Sequence, residues 1–389
     1  MKKVVLAYSG GLDTSVAIHW LRVRGYEVIA YMADVGQEKT TTAAIARAKK
    51  AGASKVVVRD LKKKFVTGYI WPALKAGAVY EGRYTLATAL SRPLIAAEQV
   101  AVAHEERATA VAHGCTGKGN DQVRFEVTTQ ALDSSLEILA PVREWEFKSR
   151  EEEIQYAHRH GISIDVTKKS PYSIDKNIWG VSVEAGVLED PNAEPPQDSF
   201  QWTRGAEKRA LKERVIEIQF EKGVPVGLGG RKRSGLELIE ELNALAAPYG
   251  IGRMDMIENR LVGIKSRETY EAPAATILLQ AHQDLESLVL DRELLHYKEG
   301  VSHKYAELVY YGLWFTPLRS ALDAFVDQTQ KKVTGTVRVK LRKYSAQVVG
   351  RRSPHSLYKE TLATYGAKDT FDQKLSKGFI DLWALPYKK

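Results

Sequence analysis

Along the first 166 residues, short unbroken apolar runs alternate with longer stretches in which apolar residues return every three or four positions. VVLAY (4–8), VIAYMA (28–33), KVVVRD (55–60), TAVAHG (109–114) and LEILAP (136–141) read as strands. Most lack a polar alternate, as strands covered on both faces do. Residues 14–24, 40–51, 85–106 and 120–132 carry helical spacing. Strands alternating with helices predict a parallel sheet with helices on both faces. A further helix opens at SREEEIQYAHRHGI, where Ser149 and Glu152 have capping-box spacing and Gly161 is a stop. Its three consecutive acids suit the positive end of the helix dipole.

Beyond residue 166 the texture changes. Residues 168–200 are rich in Pro, Ser, Asp and Asn, which predicts a long functional loop or domain entrance and not a regular element. Residues 236–247 and 274–330 have mostly helical spacing. Val333, Gly335, Val337, Val339 and Leu341 alternate with Thr334, Thr336, Arg338 and Lys340, the pattern of a half-exposed antiparallel strand with a solvated cationic face. Near the carboxyl end, Phe371, Leu375, Phe379, Leu382 and Trp383 share one helical stripe. An arm gripping a neighbouring subunit is the expectation for it, with packing on its own domain as the alternative.

The pattern predicts an α/β parallel-sheet domain at 1–166, an α+β domain at 167–361 and a helical arm at 362–389. A length of 389 residues agrees with two or three domains at roughly 150 residues each. Hydrophobic residues at 44% and charged ones at 27% match ordinary soluble proteins. The net charge of +9 serves either RNA or a site that concentrates small anions, and does not choose between them. The single cysteine, Cys115, excludes an internal disulfide or a multi-cysteine metal site and suits a reducing compartment. His158 and His160 face different ways on a helix, so no metal site is expected from them. The apolar run after MKK is shorter than a signal core, and no run approaches the roughly 18 apolar residues of a membrane span. A cytoplasmic protein without a membrane partner is the expectation.

The heptapeptide SGGLDTS, Ser9 to Ser15, lies between a predicted strand and a predicted helix. Its glycines let backbone N–H groups turn toward a phosphate, and the hydroxyls of Ser9, Thr14 and Ser15 add neutral donors. The lysine that stabilises γ-phosphate transfer in GxxxxGK[ST] loops is missing. A neutral cradle with one acid, Asp13, suits pyrophosphate as a leaving group, with Mg²⁺ offsetting the charge. Chemistry at the α-phosphate follows.

A second loop follows the strand at 109–114. Gly114, Gly117 and Gly119 give it freedom, while Thr116, Lys118, Asn120, Asp121 and Arg124 supply donors, an acceptor and cations within nine residues. Asn120 and Arg124 share a helix face, and an arginine there suits bidentate recognition of a carboxylate. Cys115 lies in this loop with no base paired to it, which favours a packing role.

SGGLDTS resembles the pyrophosphate loop of the ATP pyrophosphatases. The segments AYSGGLDTS (7–15), ADVGQ (33–37), HGCTGKGNDQVRFE (113–126), SPYSIDKNIWGVS (170–182), LEDP (188–191) and ENRLVGIKSRETYEAP (258–273) together resemble the argininosuccinate synthetase family. The resemblance implies an adenine nucleotide alpha hydrolase-like domain, a synthetase domain and a homotetramer. It implies a ligase that uses ATP with Mg²⁺ to join L-citrulline and L-aspartate. Ala7, Tyr8, Ser9, Gly10, Gly11, Leu12, Asp13, Thr14, Ser15, Ala33 and Gly114 would bind ATP. Thr116, Asn120 and Asp121 would hold aspartate, with Asp121 orienting the amine and accepting its proton. Tyr84, Asn120, Arg124, Ser173, Ser182, Glu258 and Tyr270 would meet citrulline. Without the resemblance, Ser173 and Ser182 read as loop caps and Glu258 and Tyr270 as surface groups.

The chain departs from the family pattern at YTLATALSRP, where Ala89 stands in the place of a serine, leaving Thr88 or Ser91 to replace its hydrogen bond. Two rival functions remain at this stage. A tRNA-modifying protein would share the loop and the charge, but sulfur transfer generally needs two cysteines. A catalytically dead binding protein would not need both loops intact.

Overall fold

The computed structural model of the chain describes residues 1–37, 42–163 and 171–389. The expected boundary at 166 and 167, the start of the helix expected from residue 40, and residues 168–170 of the expected loop lie outside them.

The first half comprises β1 (Lys2–Ala7), α1 (Leu12–Val23), β2 (Tyr26–Asp34), α2 (Thr42–Ala51) and β3 (Lys55–Asp60). Two short helices follow, α3 (Lys62–Phe65) and α4 (Trp71–Ala76). Then come α5 (Ala87–Glu105), β4 (Ala110–Ala112), α6 (Asp121–Leu132), β5 (Glu137–Leu139), α7 (Pro141–Glu144) and α8 (Arg150–Arg159). The five strands are parallel, in the order β3-β2-β1-β4-β5. The direction of winding reverses between β1 and β4, and ligands of open α/β sheets bind in the crevice outside such a point.

Successive side chains of a strand point to opposite faces. Val4 and Leu6 of β1 accordingly pack with Val16 and Trp20 of α1, whereas Val5 joins Ile29, Leu90 and Leu94. This second core does not end with the sheet. It continues through Trp179, Ile216, Leu238 and Ile277, so the two halves share one apolar interior.

The second half contains β6 (Ser173–Asn177), β7 (Gly180–Glu184), β8 (Arg214–Glu221), β9 (Val224–Leu228), β10 (Arg231–Lys232), α9 (Gly235–Ala246), β11 (Arg253–Asn259) and β12 (Lys265–Glu271). Next are α10 (Pro273–Val289), α11 (Arg292–Tyr310), α12 (Pro317–Gln330), β13 (Gly335–Arg342), β14 (Ser345–Arg352), α13 (Glu360–Ala363) and α14 (Leu375–Trp383). Two antiparallel sheets result, β11-β12-β7-β6 and β10-β9-β8-β13-β14. In β13 the expected alternation holds, with Val337, Val339 and Leu341 fully buried.

The expectation of an irregular loop at 168–200 is corrected for residues 173–184, which form the hairpin β6–β7. Its turn is tied to the start of α5. Asn177 accepts from the Trp179 N–H at 2.8 Å and donates to the Ala87 carbonyl at 2.9 Å, and the Trp179 indole donates to the Thr85 carbonyl at 3.0 Å. Turn-forming composition therefore belongs to the flank, and period-two alternation of Val181 and Val183 with Ser182 and Glu184 makes the strand.

Ser149 caps α8 by accepting from the Glu152 N–H, but Glu152 reaches back to the Lys148 N–H and not to Ser149's. At the far end α14 presents its stripe to solvent, with Leu375, Phe379, Leu382 and Trp383 at 63% to 71% exposed. The alternative of packing on its own domain is not what is seen. Among the described residues no helix is long and apolar enough to cross a membrane.

Candidate active site

The phosphate loop leaves β1 at Ala7 and turns through Gly10 at φ 84°, a left-handed conformation that favours glycine. Gly11 is the N-cap of α1 and makes no side-chain cap, which leaves the first N–H groups of the helix for an anion. Ser9 Oγ accepts from the Gly11 N–H at 3.3 Å and lies 3.1 Å from Thr14 Oγ1. Ser15 donates to the Gly11 carbonyl at 2.7 Å and meets the Tyr8 hydroxyl at 3.1 Å. Ser15 thus braces the loop from within, while Ser9 and Thr14 face outward.

The loop after β4 closes on this one from the side. A Cβ on Gly114 would stand 2.8 Å from Thr14 Cγ2, so only glycine allows the approach. Between the loops and the second half lies a cavity of about 740 Å³. Its wall includes Ala7, Tyr8, Ser9, Thr14, Ala33 and Gly114 from the expected ATP set. All three expected aspartate residues, Thr116, Asn120 and Asp121, line it, as do the other expected citrulline residues Tyr84, Arg124, Ser173, Ser182, Glu258 and Tyr270. Gly10, Gly11, Leu12, Asp13 and Ser15 of the expected ATP set do not line it. The Asp13 carboxyl faces Glu153 of α8, whose own carboxyl is pushed up to about 8, first by burial and then by Asp13.

Asp121, at the start of α6, is clasped by two guanidiniums. Arg124 donates through Nη1 and Arg92 through Nε, each at 2.8 Å. Burial raises the Asp121 carboxyl, but Arg92 and Arg124 outweigh burial and hold it below its ordinary value. A carboxylate so held accepts hydrogen bonds and is a poor acceptor of a proton. Arg124 also donates from Nε to the Tyr310 carbonyl at 3.0 Å, while its Nη2 is buried with no partner among the described residues. Buried donors are nearly always paired, so a free guanidinium nitrogen in a cavity wall points to an anionic ligand.

Asn120 joins the two halves. Its amide donates to the Tyr310 hydroxyl at 2.8 Å and accepts from the Leu261 N–H at 2.8 Å. Glu258 accepts from the Tyr270 and Tyr310 hydroxyls, both at 2.7 Å. Burial, then the nearby carboxylates, pushes the Tyr270 hydroxyl up, and it stays a donor. Glu258 and Tyr270 are therefore buried, which corrects their plain reading as surface groups; Ser173 and Ser182 stand on strands and not on loop caps.

Sequence reasoning missed Arg92, Asp175, Arg260 and Glu268, which line the cavity with Thr88. Thr88 donates to Asp175 at 2.7 Å and Arg92 pairs with Asp175 at 2.8 Å. Helical spacing was a usable signal, because Arg92 follows Thr88 by four residues. Ala89 is fully buried behind the wall, and Ser91 donates to the Thr88 carbonyl. Of the two replacements considered for the missing serine, Thr88 is the one in the wall. Glu268 precedes Tyr270 by two residues on β12, so the two share a face. Burial and then Asp121 push the Cys115 thiol up, away from nucleophilic use.

The family model described as Arginosuccinate synthase N-terminal HUP domain matches residues 3–163, and that described as Arginosuccinate synthase C-terminal domain matches residues 172–389. A relative named argininosuccinate synthase from Chlorobium phaeobacteroides (strain BS1) is 58% identical over 388 residues, covering 100% of this chain and 96% of the relative. Relatives of the same name from Aquifex aeolicus (strain VF5) and Carboxydothermus hydrogenoformans (strain ATCC BAA-161 / DSM 6008 / Z-2901) are 56% and 55% identical, each covering 100% of this chain and 97% of the relative.

Proposed function

This chain belongs to the argininosuccinate synthase family of carbon–nitrogen ligases (EC 6.3.4.5), which serves arginine biosynthesis, and from that premise we propose that its cavity condenses L-citrulline with L-aspartate through citrullyl-AMP. The ureido carbon is a poor electrophile and its oxygen a poor leaving group. The oxygen therefore attacks the α-phosphate of ATP first, and pyrophosphate departs. The aspartate amine then adds to the activated carbon and AMP leaves with the former ureido oxygen.

The observation that carries this reading is the partnerless Nη2 of Arg124 in the same cavity wall as Ser9, Thr14 and Gly114. A neutral phosphate cradle and a carboxylate receptor in one enclosure suit an adenylated amino acid. Ser9, Thr14 and the open end of α1 would take the phosphates; Arg124, Glu258 and Tyr270 would take citrulline; Thr116, Asn120 and Asp121 would take aspartate. Holding three substrates together contributes up to roughly 7 to 11 kcal/mol in well-oriented reactions. Asp121, fixed as a carboxylate by Arg92 and Arg124, orients the ammonium of aspartate, and its depressed basicity argues for a different final proton acceptor.

Magnesium enters this reading as the counter-ion of ATP. The loop's one acid, Asp13, faces Glu153 and does not line the cavity, so the loop residues that do, Ser9 and Thr14, offer hydroxyls to the nucleotide and no carboxylate to the ion. Asp13 keeps a role at the leaving group through its place in the first turn of α1. The division at 1–166, 167–361 and 362–389, a homotetramer joined through α14 and a cytoplasmic location complete the proposal.

Citrulline labelled with ¹⁸O in the ureido group tests it directly. Incubated with ATP and aspartate, the protein should yield argininosuccinate, pyrophosphate and AMP, with the label in AMP by mass spectrometry. ADP as product, or unlabelled AMP, would overturn the route.

A further inference from the structure

The corner of the cavity around Glu258 holds more acid than this chemistry has used. Glu258 on β11, Glu268 on β12 and Glu184 on β7 line it, and Arg260, just past β11, is the guanidinium among them. One amino nitrogen of Arg260 serves both Glu184 and Glu268, the latter at 3.1 Å. Its Nε donates to Ser266 at 2.7 Å and its other amino nitrogen to the Lys118 carbonyl at 3.3 Å, so every nitrogen is engaged. Glu258 takes its hydrogen bonds from two tyrosine hydroxyls, which are neutral donors. Arg124, elsewhere in the wall, is paired with Asp121. Three carboxyl groups thus stand in a corner whose one guanidinium pairs with two of them, Glu184 and Glu268.

We propose that Glu268 makes this end of the cavity selective for a substrate bearing an ammonium group, a role that rests on the citrulline reading above. A third carboxyl beside one guanidinium leaves a deficit of positive charge that a substrate ammonium fills and a neutral group does not. The charged and titratable groups facing Glu268 are Glu258, Glu184, Arg260, Tyr270 and Tyr84. Burial and then Glu258 and Glu184 push its carboxyl up to about 8, against the pull of Arg260. Glu268 is accordingly held toward its protonated form. When an ammonium enters, the Glu268 O–H bond breaks, the proton leaves to solvent, and a carboxylate remains beside the new cation. Ligand binding and proton release are coupled.

The test is calorimetric titration of the full chain, with α,β-methylene-ATP present, in two buffers of different ionisation enthalpy at neutral pH. The ligands are L-citrulline and 5-ureidopentanoate, which is citrulline without its amino group. Citrulline should release a large fraction of a proton from the wild type and 5-ureidopentanoate none. In Glu268→Gln, that release should vanish, and the preference for citrulline should shrink by on the order of tenfold, the scale of one charge-assisted contact. In steady state its citrulline KM should rise more than its kcat falls. Citrulline binding by the wild type without proton release would overturn the role of Glu268 alone, and needs no variant to fold. So would equal release and equal preference in Glu268→Gln. A wild type that binds no citrulline would overturn the substrate reading and this inference together.

Discussion

Arg124 donates to Asp121 at 2.8 Å through one amino nitrogen, while its second amino nitrogen is buried and unpaired among the described residues. Removing one partner of a desolvated charge pair costs about 2 to 5 kcal/mol. Arg124→Ala should therefore raise the citrulline KM by about thirtyfold or more while the ATP KM moves by about threefold at most. Arg124→Lys should rescue little, since lysine lacks the planar fork. Steady-state kinetics with each substrate varied in turn decides the matter, and equal effects on both would mark a structural arginine.

Asp13 stands in the first turn of α1, next to Thr14, which lines the cavity with Ser9. Asp13→Asn should slow pyrophosphate release while the citrulline KM stays within about twofold, because the loop serves the leaving group and not the acceptor. A pyrophosphate assay with citrulline varied is sufficient. Near-normal release would limit Asp13 to favouring the helix dipole.

Glu153 faces Asp13, and its carboxyl titrates near 8 in the folded chain, chiefly through burial, against about 4.3 when unfolded. The folded state then binds a proton that the unfolded state has already lost, so this group erodes stability as pH rises between those values. Glu153→Gln should be more stable than the wild type by roughly 1 kcal/mol at pH 8, solvent screening keeping the effect well below the full linkage value. At pH 5 the difference should nearly close. Urea melts at the two pH values measure it, and an equal difference at both would show that Glu153 does not titrate between them.

The exposed stripe of α14 predicts the behaviour of a truncated chain. Each large apolar side chain, fully buried, contributes roughly 1.5 to 3 kcal/mol, and Phe371, Leu375, Phe379, Leu382 and Trp383 are all exposed in the isolated chain. Deleting residues 366–389 should lower the assembly state at micromolar concentration, while nucleotide still binds. Light scattering reads the first and ATP titration the second. An unchanged particle mass, corrected for the lost residues, would remove α14 from the interface.

The central strands β1, β2 and β4 announce themselves because both faces are buried, and the partly covered edge strands β3 and β5 were legible from their apolar runs alone. The hairpin β6–β7 was not, because its residues mix strand alternation with turn formers and its order depends on Asn177 and Trp179 reaching α5 across about ninety positions. Strands β8 to β12 were likewise unmarked, their partners being supplied by distant segments. In the site, SGGLDTS and GKGNDQVR were legible because helix and loop geometry keeps their chemistry within a few residues. Arg260 and Glu268 were silent, since a charged residue in a strand reads as a solvated face until the fold encloses it.

Asn120 is made 190 residues before Tyr310 and 141 before Leu261, the two partners of its amide. At roughly 5 to 20 residues per second of synthesis, that separation is about 10 to 40 s. Throughout that interval the apolar interior shared by the two halves is incomplete, and the wall that Asn120 joins to Tyr310 and Leu261 is missing. A chain still on the ribosome therefore has no closed cavity, and turnover waits on the arrival of α11.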